Sequence, residues 1–419
     1  MTRLVVVGQG YVGLPLAMRA VQAGHDVTGL DTSIDRVKRL SAGDSFVEDV
    51  PDTELLAALA SGRYRVTDSP SACDGFDVAV VAVPTPLRDS APDLGYVEQA
   101  ARTLAPFVTR DCLVVLESTT YPGTTEAVVV PLLEAGSGLT AGWDFAVGYS
   151  PERIDPGNAE WTLTTTPKIV SGIDPASLAR TEKFYGALVE RTVPVSSTRS
   201  AELAKLLENT FRHVNIALVN ELAMVAADLG VDVWEAIDAA ATKPFGFMRF
   251  TPGPGVGGHC LPIDPSYLSW TVRQRLGRSF RFVELANDIN DHMPDYVLSR
   301  LMHGLNRQGR AMSRSRVLVL GLAYKRNSGD AREAPAAALI DLLVREGAEV
   351  AVVDPHVVEE LPLPATVRRV ALSQAELAAA DAVVLVTDHE AFDYELVAEH
   401  AGYVLDTRNR MRGPRVEQL

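Results

Sequence analysis

Cysteine is scarce. Cys73, Cys112 and Cys260 are the three cysteines in 419 residues. They are too few and too scattered for a disulfide framework or a zinc site, and at least one is left as a free thiol. No metal is expected. Positive charge is also in deficit: 39 Lys and Arg against 54 Asp and Glu give a net charge of −15. That balance argues against a broad nucleic-acid-binding surface, although a local basic pocket can still hold an anionic substrate. Long apolar runs are missing near the start. Leu4–Val7 is far too short to span a bilayer, and Met1-Thr2-Arg3 leads into it without a cleavage-site pattern. The expectation is a cytoplasmic chain with no membrane partner.

What is present is ordinary globular composition, 47% hydrophobic and 22% charged, in a length that allows two or three domains. Short β-rich runs alternate with helical stretches: strands are expected at Arg3–Val7, His25–Leu30, Asp77–Ala82, Leu113–Glu117 and Phe145–Gly148, and a helix at Gly13–Ala23. Such alternation predicts an α/β fold with a doubly wound parallel sheet. Ser197–Leu229 has apolar residues at helical spacing and no Gly or Pro from Arg199 to Leu229. It reads as one long helix, apolar on more than one face, which suits both a core helix between domains and a dimer interface. Lys243–Pro265 is a loop dense in Gly and Pro, and Arg281–Asn306 reads as the next helix. The last third repeats the opening, with strands at Arg316–Leu320, Glu349–Asp354, Asp381–Thr387 and Tyr403–Asp406, so a second doubly wound domain is expected.

Gly8-Gln9-Gly10-Tyr11-Val12-Gly13 is a G-x-G-x-x-G turn between a strand and a helix. The glycines permit a tight turn and close backbone approach, and the helix N-terminus faces a pyrophosphate. Asp31 closes the second strand, where an acid accepts hydrogen bonds from the adenosine ribose and repels a 2′-phosphate, so NAD is the expected cofactor rather than NADP. Val83-Pro84-Thr85-Pro86 and Glu117-Ser118-Thr119-Thr120 follow later strands and sit where loops border a nicotinamide.

Cys260 lies in Gly257-Gly258-His259-Cys260-Leu261-Pro262-Ile263-Asp264. A free cysteine is most often a small buried hydrophobe. Here it sits in a glycine-rich loop where Gly257 and Gly258 would admit a ligand, with His259 and Asp264 nearby. Cys73 and Cys112 lack such surroundings and are read as structural. Lys205 and Asn209 are spaced i, i+4 on the long helix. Lys205 is equally well a solvated lysine or an acid–base group at a buried edge. Glu152, in Tyr149-Ser150-Pro151-Glu152-Arg153, is a base or an ordinary turn glutamate. Lys325, after Gly321-Leu322-Ala323-Tyr324, and Arg332, Arg408 and Arg410 are candidate phosphate contacts.

In this order and spacing the motifs closely resemble the nucleotide-sugar 6-dehydrogenase family, which includes the UDP-glucose, GDP-mannose and UDP-N-acetylhexosamine dehydrogenases. The resemblance runs from Gly8 to Leu405-Asp406-Thr407-Arg408-Asn409 and takes in Ala201–Asn209. It implies two Rossmann-like domains joined by a long central helix and a helical middle domain. The expected divisions are residues 1–196 for NAD, 197–308 for dimerisation and the Cys260 loop, and 309–419 for the nucleotide sugar. It implies Cys260 as nucleophile with Asp264 as its partner. Lys205 and Asn209 would flank the reacting carbon, with Lys205 stabilising an oxyanion, and Glu152 and Thr119 would act with an ordered water. Asp31 and Arg36 would hold the adenosine end of NAD, with Gly8, Gly10, Tyr11, Val12, Gly13, Thr85 and Arg332 as further cofactor contacts. Arg153, Gly257, Lys325 and Arg408 would contact a UDP-sugar substrate. The partner implied is a second copy of the chain.

One departure bears on the sugar. Glucose- and mannose-type members carry Pro-Glu-Phe-Leu-x-Glu where this chain has Pro151-Glu152-Arg153-Ile154-Asp155-Pro156, so the second glutamate is absent. Lys243-Pro244-Phe245-Gly246-Phe247 is most similar to the UDP-N-acetylglucosamine type, with UDP-N-acetylmannosamine, UDP-N-acetylgalactosamine and UDP-glucose as alternatives. A two-electron hydroxyacid-type dehydrogenase would not need the cysteine loop or the second domain. A non-catalytic nucleotide-binding regulator would not need Cys260, Lys205 and Asp264 together.

Overall fold

The computed structural model describes residues 2–88, 91–154, 158, 160–258, 261–358 and 361–419. Cys260 and His259, and the Asp155-Pro156 departure, lie outside the described residues. The chain divides into two compact units, Met1–Glu208 and Asn209–Leu419.

The first unit is built on one sheet. Its strands are β1 (Arg3–Val7), β2 (Asp26–Leu30), β3 (Tyr64–Thr67), β4 (Val78–Val81), β7 (Leu113–Leu116), β8 (Ala146–Tyr149), β9 (Lys168–Gly172) and β10 (Thr192–Pro194), with a small hairpin of β5 (Leu87–Arg88) and β6 (Ala91–Pro92) outside it. The order is β10-β9-β8-β7-β4-β1-β2-β3, whose inner part is the doubly wound arrangement with its switch point between β1 and β4. Strands buried on both faces read as continuous apolar runs. In β1, Leu4 and Val6 enter one core layer, against Leu14 and Met18 of the helix Gly13–Gln22, while Val5 and Val7 enter the other with Val97 and Leu104. Cys73 and Cys112 belong to that second layer. Burial raises both thiols, Cys73 to about 11, as inert core cysteines should behave.

The sheet is not wholly parallel. β9 runs antiparallel to β8, pairing Tyr149 with Ser171. This reversal was not expected from the alternating pattern, and it brings the start of β9 beside the end of β8.

The second unit repeats the design. β11 (Arg316–Leu320), β12 (Glu349–Val353), β13 (Arg368–Arg369), β14 (Ala382–Leu385), β15 (Val404–Asp406) and β16 (Val416–Gln418) form a parallel sheet in the order β13-β12-β11-β14-β15-β16. Gly321 at φ +94° donates to the Val353 carbonyl over 2.8 Å, as Gly8 at φ +92° donates to Leu30 over 2.8 Å. Helices at Val233–Ala241, Asp264–Leu276, Arg281–Asp291 and Met293–Arg307 precede the sheet. The single helix expected over Arg281–Asn306 is therefore two. Pro294 stands in the first turn of the second, where its missing N–H costs nothing, whereas inside a continuous helix its ring would clash with the preceding turn. The helix Thr198–Leu229 runs across the boundary between the units. Among the described residues, no helix is long and apolar enough to cross a membrane.

Candidate active site

Each glycine of the first turn is required for a different reason. A Cβ on Gly8 would lie 2.3 Å from the Ala82 carbonyl oxygen, and one on Gly13 would lie 1.8 Å from the Gly8 carbonyl oxygen. Gly10 has nothing within 4 Å of that position, so its face is open for a ligand at the start of the helix Gly13–Gln22. Asp31, buried at the end of β2, accepts from the backbone N–H of Gln9 (2.8 Å) and Ser33 (2.9 Å) and from Arg36 Nη1 (3.0 Å). A carboxylate has about four lone-pair positions, so one remains for a ribose hydroxyl. The cradle fits a dinucleotide. Asp31→Asn is expected to raise KM for NAD by about tenfold, the loss of one charge-assisted hydrogen bond, with KM for the sugar unchanged in steady-state assays. Thr85 is buried and Thr119 half-buried in the loops after β4 and β7. Ser118 ties these loops together, its Oγ donating to the Val83 carbonyl (2.7 Å) and accepting from the Val83 N–H (2.9 Å). Tyr11 is exposed and Val12 half-buried in the turn itself.

The antiparallel entry of β9 places Lys168 among carboxylates. Its Nζ forms a close ion pair with Glu117 and lies 3.1 Å from Glu152 Oε2. Glu152 Oε1 accepts from the backbone N–H of Arg153 and Ile154 at 2.6 Å each, and Tyr185 donates to Glu117 over 3.2 Å. Burial pushes Glu117 up to about 7, an effect that the Lys168 attraction offsets only in part and that Glu152 reinforces. Burial acts on Glu152 as well, but Lys168 and the Ile154 N–H outweigh it and hold that carboxyl below its usual value. One cation thus serves two buried acids, and Glu152 is the one kept ionised. Sequence reading missed Lys168. Its signal was a lysine opening the apolar run Ile169-Val170, which resembles a solvated strand end.

On the long helix, Lys205 is 8% exposed. Its side chain is buried rather than solvated. Glu202, one turn earlier, is fully buried and accepts from the Gly123 N–H (2.5 Å) and the Thr125 N–H (2.9 Å), fixing the helix in the first unit. One turn later, Asn209 Nδ2 donates to Asp264 Oδ2 over 2.5 Å, and Asp264 is buried at the start of Asp264–Leu276. Arg153 pairs with Glu208 at 2.7 Å and donates to the Pro167 carbonyl over 2.5 Å, which ties the Glu152 segment to the same helix.

The glycines before Cys260 are packed on the side a side chain would take. A Cβ on Gly257 would meet the Glu333 carbonyl oxygen at 2.7 Å and Tyr324 Cβ at 2.8 Å, and one on Gly258, at φ +87°, would meet the Tyr324 ring at 2.8 Å. This chain's own Tyr324 and Glu333 occupy that space. Gly253 is similarly covered by the Arg408 guanidinium, which donates through Nε to the Val386 carbonyl over 2.7 Å. Lys325 is half-buried after β11, and Arg332 pairs with Asp330 at 2.6 Å within its own loop.

The two sheets treat their acids differently. Asp354 ends β12 as Asp31 ends β2, yet it accepts from the N–H groups of Leu322, Ala323, His356 and Val357 and from His389 Nε2 at 3.0 Å. That exceeds the four lone-pair positions and leaves nothing for a ribose. The first unit keeps a dinucleotide site and the second does not.

A glycine turn with an acid in reserve marks a dinucleotide-binding protein, and the second doubly wound unit lacks the equivalent reserve. The chain matches the UDP-glucose/GDP-mannose dehydrogenase family over its NAD binding domain at residues 2–189, its central domain at 199–292 and its UDP binding domain at 318–413. It is 36% identical to the UDP-N-acetyl-D-mannosamine dehydrogenase of Pyrococcus horikoshii, covering 99% of this chain and 97% of the relative. It is also 36% identical to the NDP-N-acetyl-D-galactosaminuronic acid dehydrogenase of Ralstonia solanacearum, over 98% and 96%. The structure of a UDP-glucose dehydrogenase from Pyrobaculum islandicum superposes with a TM-score of 0.89 at 31% identity, over 100% of this chain and 96% of that one. The chain belongs to the UDP-glucose/GDP-mannose dehydrogenase family. It is an NAD-dependent oxidoreductase.

Proposed function

We propose that this enzyme oxidises the C6 alcohol of UDP-N-acetylglucosamine to the carboxylate, in two oxidations, with Cys260 as covalent nucleophile. The observation that carries the reading is Lys205, a buried cation that acts on the Glu152 carboxylate through space and helps keep it ionised, with no carboxylate within ion-pair distance of it among the described residues. A buried ammonium is costly unless an anion faces it, and an oxyanion at the reacting carbon is such an anion.

Gly8, Gly10, Gly13 and Asp31 would hold NAD, which when bound would supply the hydride acceptor for both oxidations. The protein supplies the rest. The alcohol proton leaves through water or a base. The Cys260 thiolate adds to the aldehyde carbon, forming a C–S bond, and Lys205 stabilises the alkoxide of the thiohemiacetal. After the second oxidation the carbon is a thioester. Glu152, ionised beside Lys168, takes a proton from water as the hydroxyl oxygen attacks, the C–S bond breaks, and the Cys260 thiolate is released. Covalent capture splits a four-electron oxidation into smaller steps and retains the aldehyde.

The sugar is assigned from the Lys243–Phe247 segment and from the missing second glutamate. A second reading, UDP-N-acetylmannosamine, is favoured by the Pyrococcus horikoshii relative. Steady-state assays with UDP-N-acetyl-glucosamine, -mannosamine and -galactosamine, UDP-glucose and GDP-mannose separate them. The expected result is a preference for an N-acetylated sugar and two NADH per sugar. A preference for UDP-glucose would overturn the sugar, and one NADH per sugar the reaction.

The active form is proposed to be a homodimer through the long helix. Leu207, Phe211, Leu218, Leu222, Val225 and Leu229 are exposed in the chain, and their spacing puts them on one stripe. A contiguous apolar stripe of that length marks an interface, and a self-complementary helix pair is the simplest one. Leu218→Glu combined with Leu222→Glu should give a monomer by light scattering, while the parent elutes as a dimer.

A further inference from the structure

The residues from Thr251 to Ile263 form no helix or strand among those described, so something other than secondary structure must fix the segment that carries Cys260. A chain of buried and half-buried polar side chains does this from both ends. The Gly253 N–H donates to Asn220 Oδ1 over 2.9 Å, and Asn220 Nδ2 donates to Asn290 Oδ1 over 2.9 Å. Asn290 Nδ2 lies 3.4 Å from His213 Nδ1, and His213 Nε2 lies 2.7 Å from Asn287 Oδ1. Asn287 Nδ2 donates to Ser266 Oγ over 3.3 Å, and Ser266 Oγ donates to the Pro262 carbonyl over 3.0 Å. The path starts at Gly253, crosses the long helix and the helix Arg281–Asp291, and ends at Pro262.

Each link runs in the same direction. Asn287 Oδ1 requires His213 to donate at Nε2, and Asn290 Nδ2, 3.4 Å from both His213 Nδ1 and the His213 carbonyl, reaches the ring only where Nδ1 accepts, which is one neutral tautomer. Burial lowers the His213 pKa, with the Asn287 bond opposing it, and so keeps the ring neutral. Asn220, Asn290 and His213 are buried. An apolar trio would fill that space at less desolvation cost, so the polar chain is explained by the register it imposes on the loop.

We propose that Asn220, Asn290 and His213 are positioning residues that hold both ends of the nucleophile loop through one fixed imidazole tautomer. This rests on Cys260 being the nucleophile. A misplacement of about 1 Å at a reacting group costs up to about a hundredfold in rate, so breaking the chain should act on turnover and on thiol reactivity, not on NAD binding.

His213→Phe keeps the ring volume and removes both links. His213→Gln supplies one acceptor and one donor in the same order. In His213→Phe, kcat should fall about tenfold to a hundredfold, KM for NAD should stay within about twofold, and iodoacetamide alkylation of Cys260, followed on its peptide by mass spectrometry, should change rate. His213→Gln should recover most of kcat. Ser266→Ala, which cuts the last two links at the half-buried Pro262 end, should cost about threefold to tenfold and covers the case in which His213→Phe does not fold. If His213→Phe or Ser266→Ala keeps full kcat and alkylation rate while Cys260→Ser is inactive, the clamp is wrong. If Cys260→Ser itself turns over normally, the underlying reading fails instead.

Discussion

Cys260→Ser is expected to reduce carboxylate formation by on the order of 10⁴-fold or more, the scale seen when a nucleophile is removed from an otherwise intact site. The substitution keeps the size of the side chain and changes its acidity. A thiol near its ordinary value of about 8.5 supplies some thiolate at neutral pH, whereas a serine hydroxyl supplies essentially no alkoxide. Both hydride transfers to NAD depend on the first unit, whose glycine turn and Asp31 lie far along the chain from residue 260. KM for NAD should therefore stay within about twofold and thermal stability within about 0.5 kcal/mol. A parallel loss of NAD affinity would mean that the cysteine acts through folding, and unchanged turnover would remove covalent catalysis altogether.

Lys168→Met should have the largest effect on stability. It leaves Glu117 and Glu152 buried without their shared cation, and breaking a buried pair by removing one partner costs about 3–5 kcal/mol. In a unit of this size that is roughly 6–20 °C in the melting temperature. The loss must depend on pH. In the parent, Glu117 holds its proton up to about 7 in the folded state against 4.5 as its ordinary value. The folded state thus binds more protons between those values, and Glu117 makes stability fall as pH rises through that window. Glu152 has the opposite sign: its folded value is lowered, so its contribution is present above the ordinary value and is lost as pH falls through the folded one. Without Lys168 both carboxyls shift upward, so the variant should be closest to the parent near pH 5 and furthest from it near pH 8. Scanning calorimetry at the two pH values tests this; an equal loss at both would mean that the lysine matters only for packing. Turnover should also fall, because Glu152 then lacks the cation that keeps it ionised.

The contrast between these two residues shows what sequence can reveal. Gly8, Gly10, Gly13 and Asp31 are local: one turn and one strand end place them, so both the motif and its purpose are visible in the order of residues. The helix Thr198–Leu229 is equally local, a long run at one period without a breaker. The inward alternation of Leu4 and Val6 against Val5 and Val7 already implies two core layers. Lys168 is different. Its partners precede it by 51 and 16 positions, and what brings them together is the reversal of β9 against β8, which no local period encodes. The clamp through His213 is non-local in the same way, joining three helices and a loop. At Gly257 and Gly258 the composition is legible but the packing is not: glycine is needed there because Tyr324 and the Glu333 carbonyl pack against the loop from a segment more than sixty residues away. The break at His292 was within reach, since Pro294 cannot continue a helix, but the apolar spacing on either side of it is nearly in phase.

The most direct measurement is acid quenching of the enzyme during turnover with NAD and UDP-N-acetylglucosamine, followed by mass spectrometry of the peptide containing Cys260. Covalent catalysis predicts that this peptide gains the mass of the sugar nucleotide as a thioester and loses it on longer incubation before the quench. An unmodified Cys260 peptide during sustained formation of two NADH per sugar would contradict it.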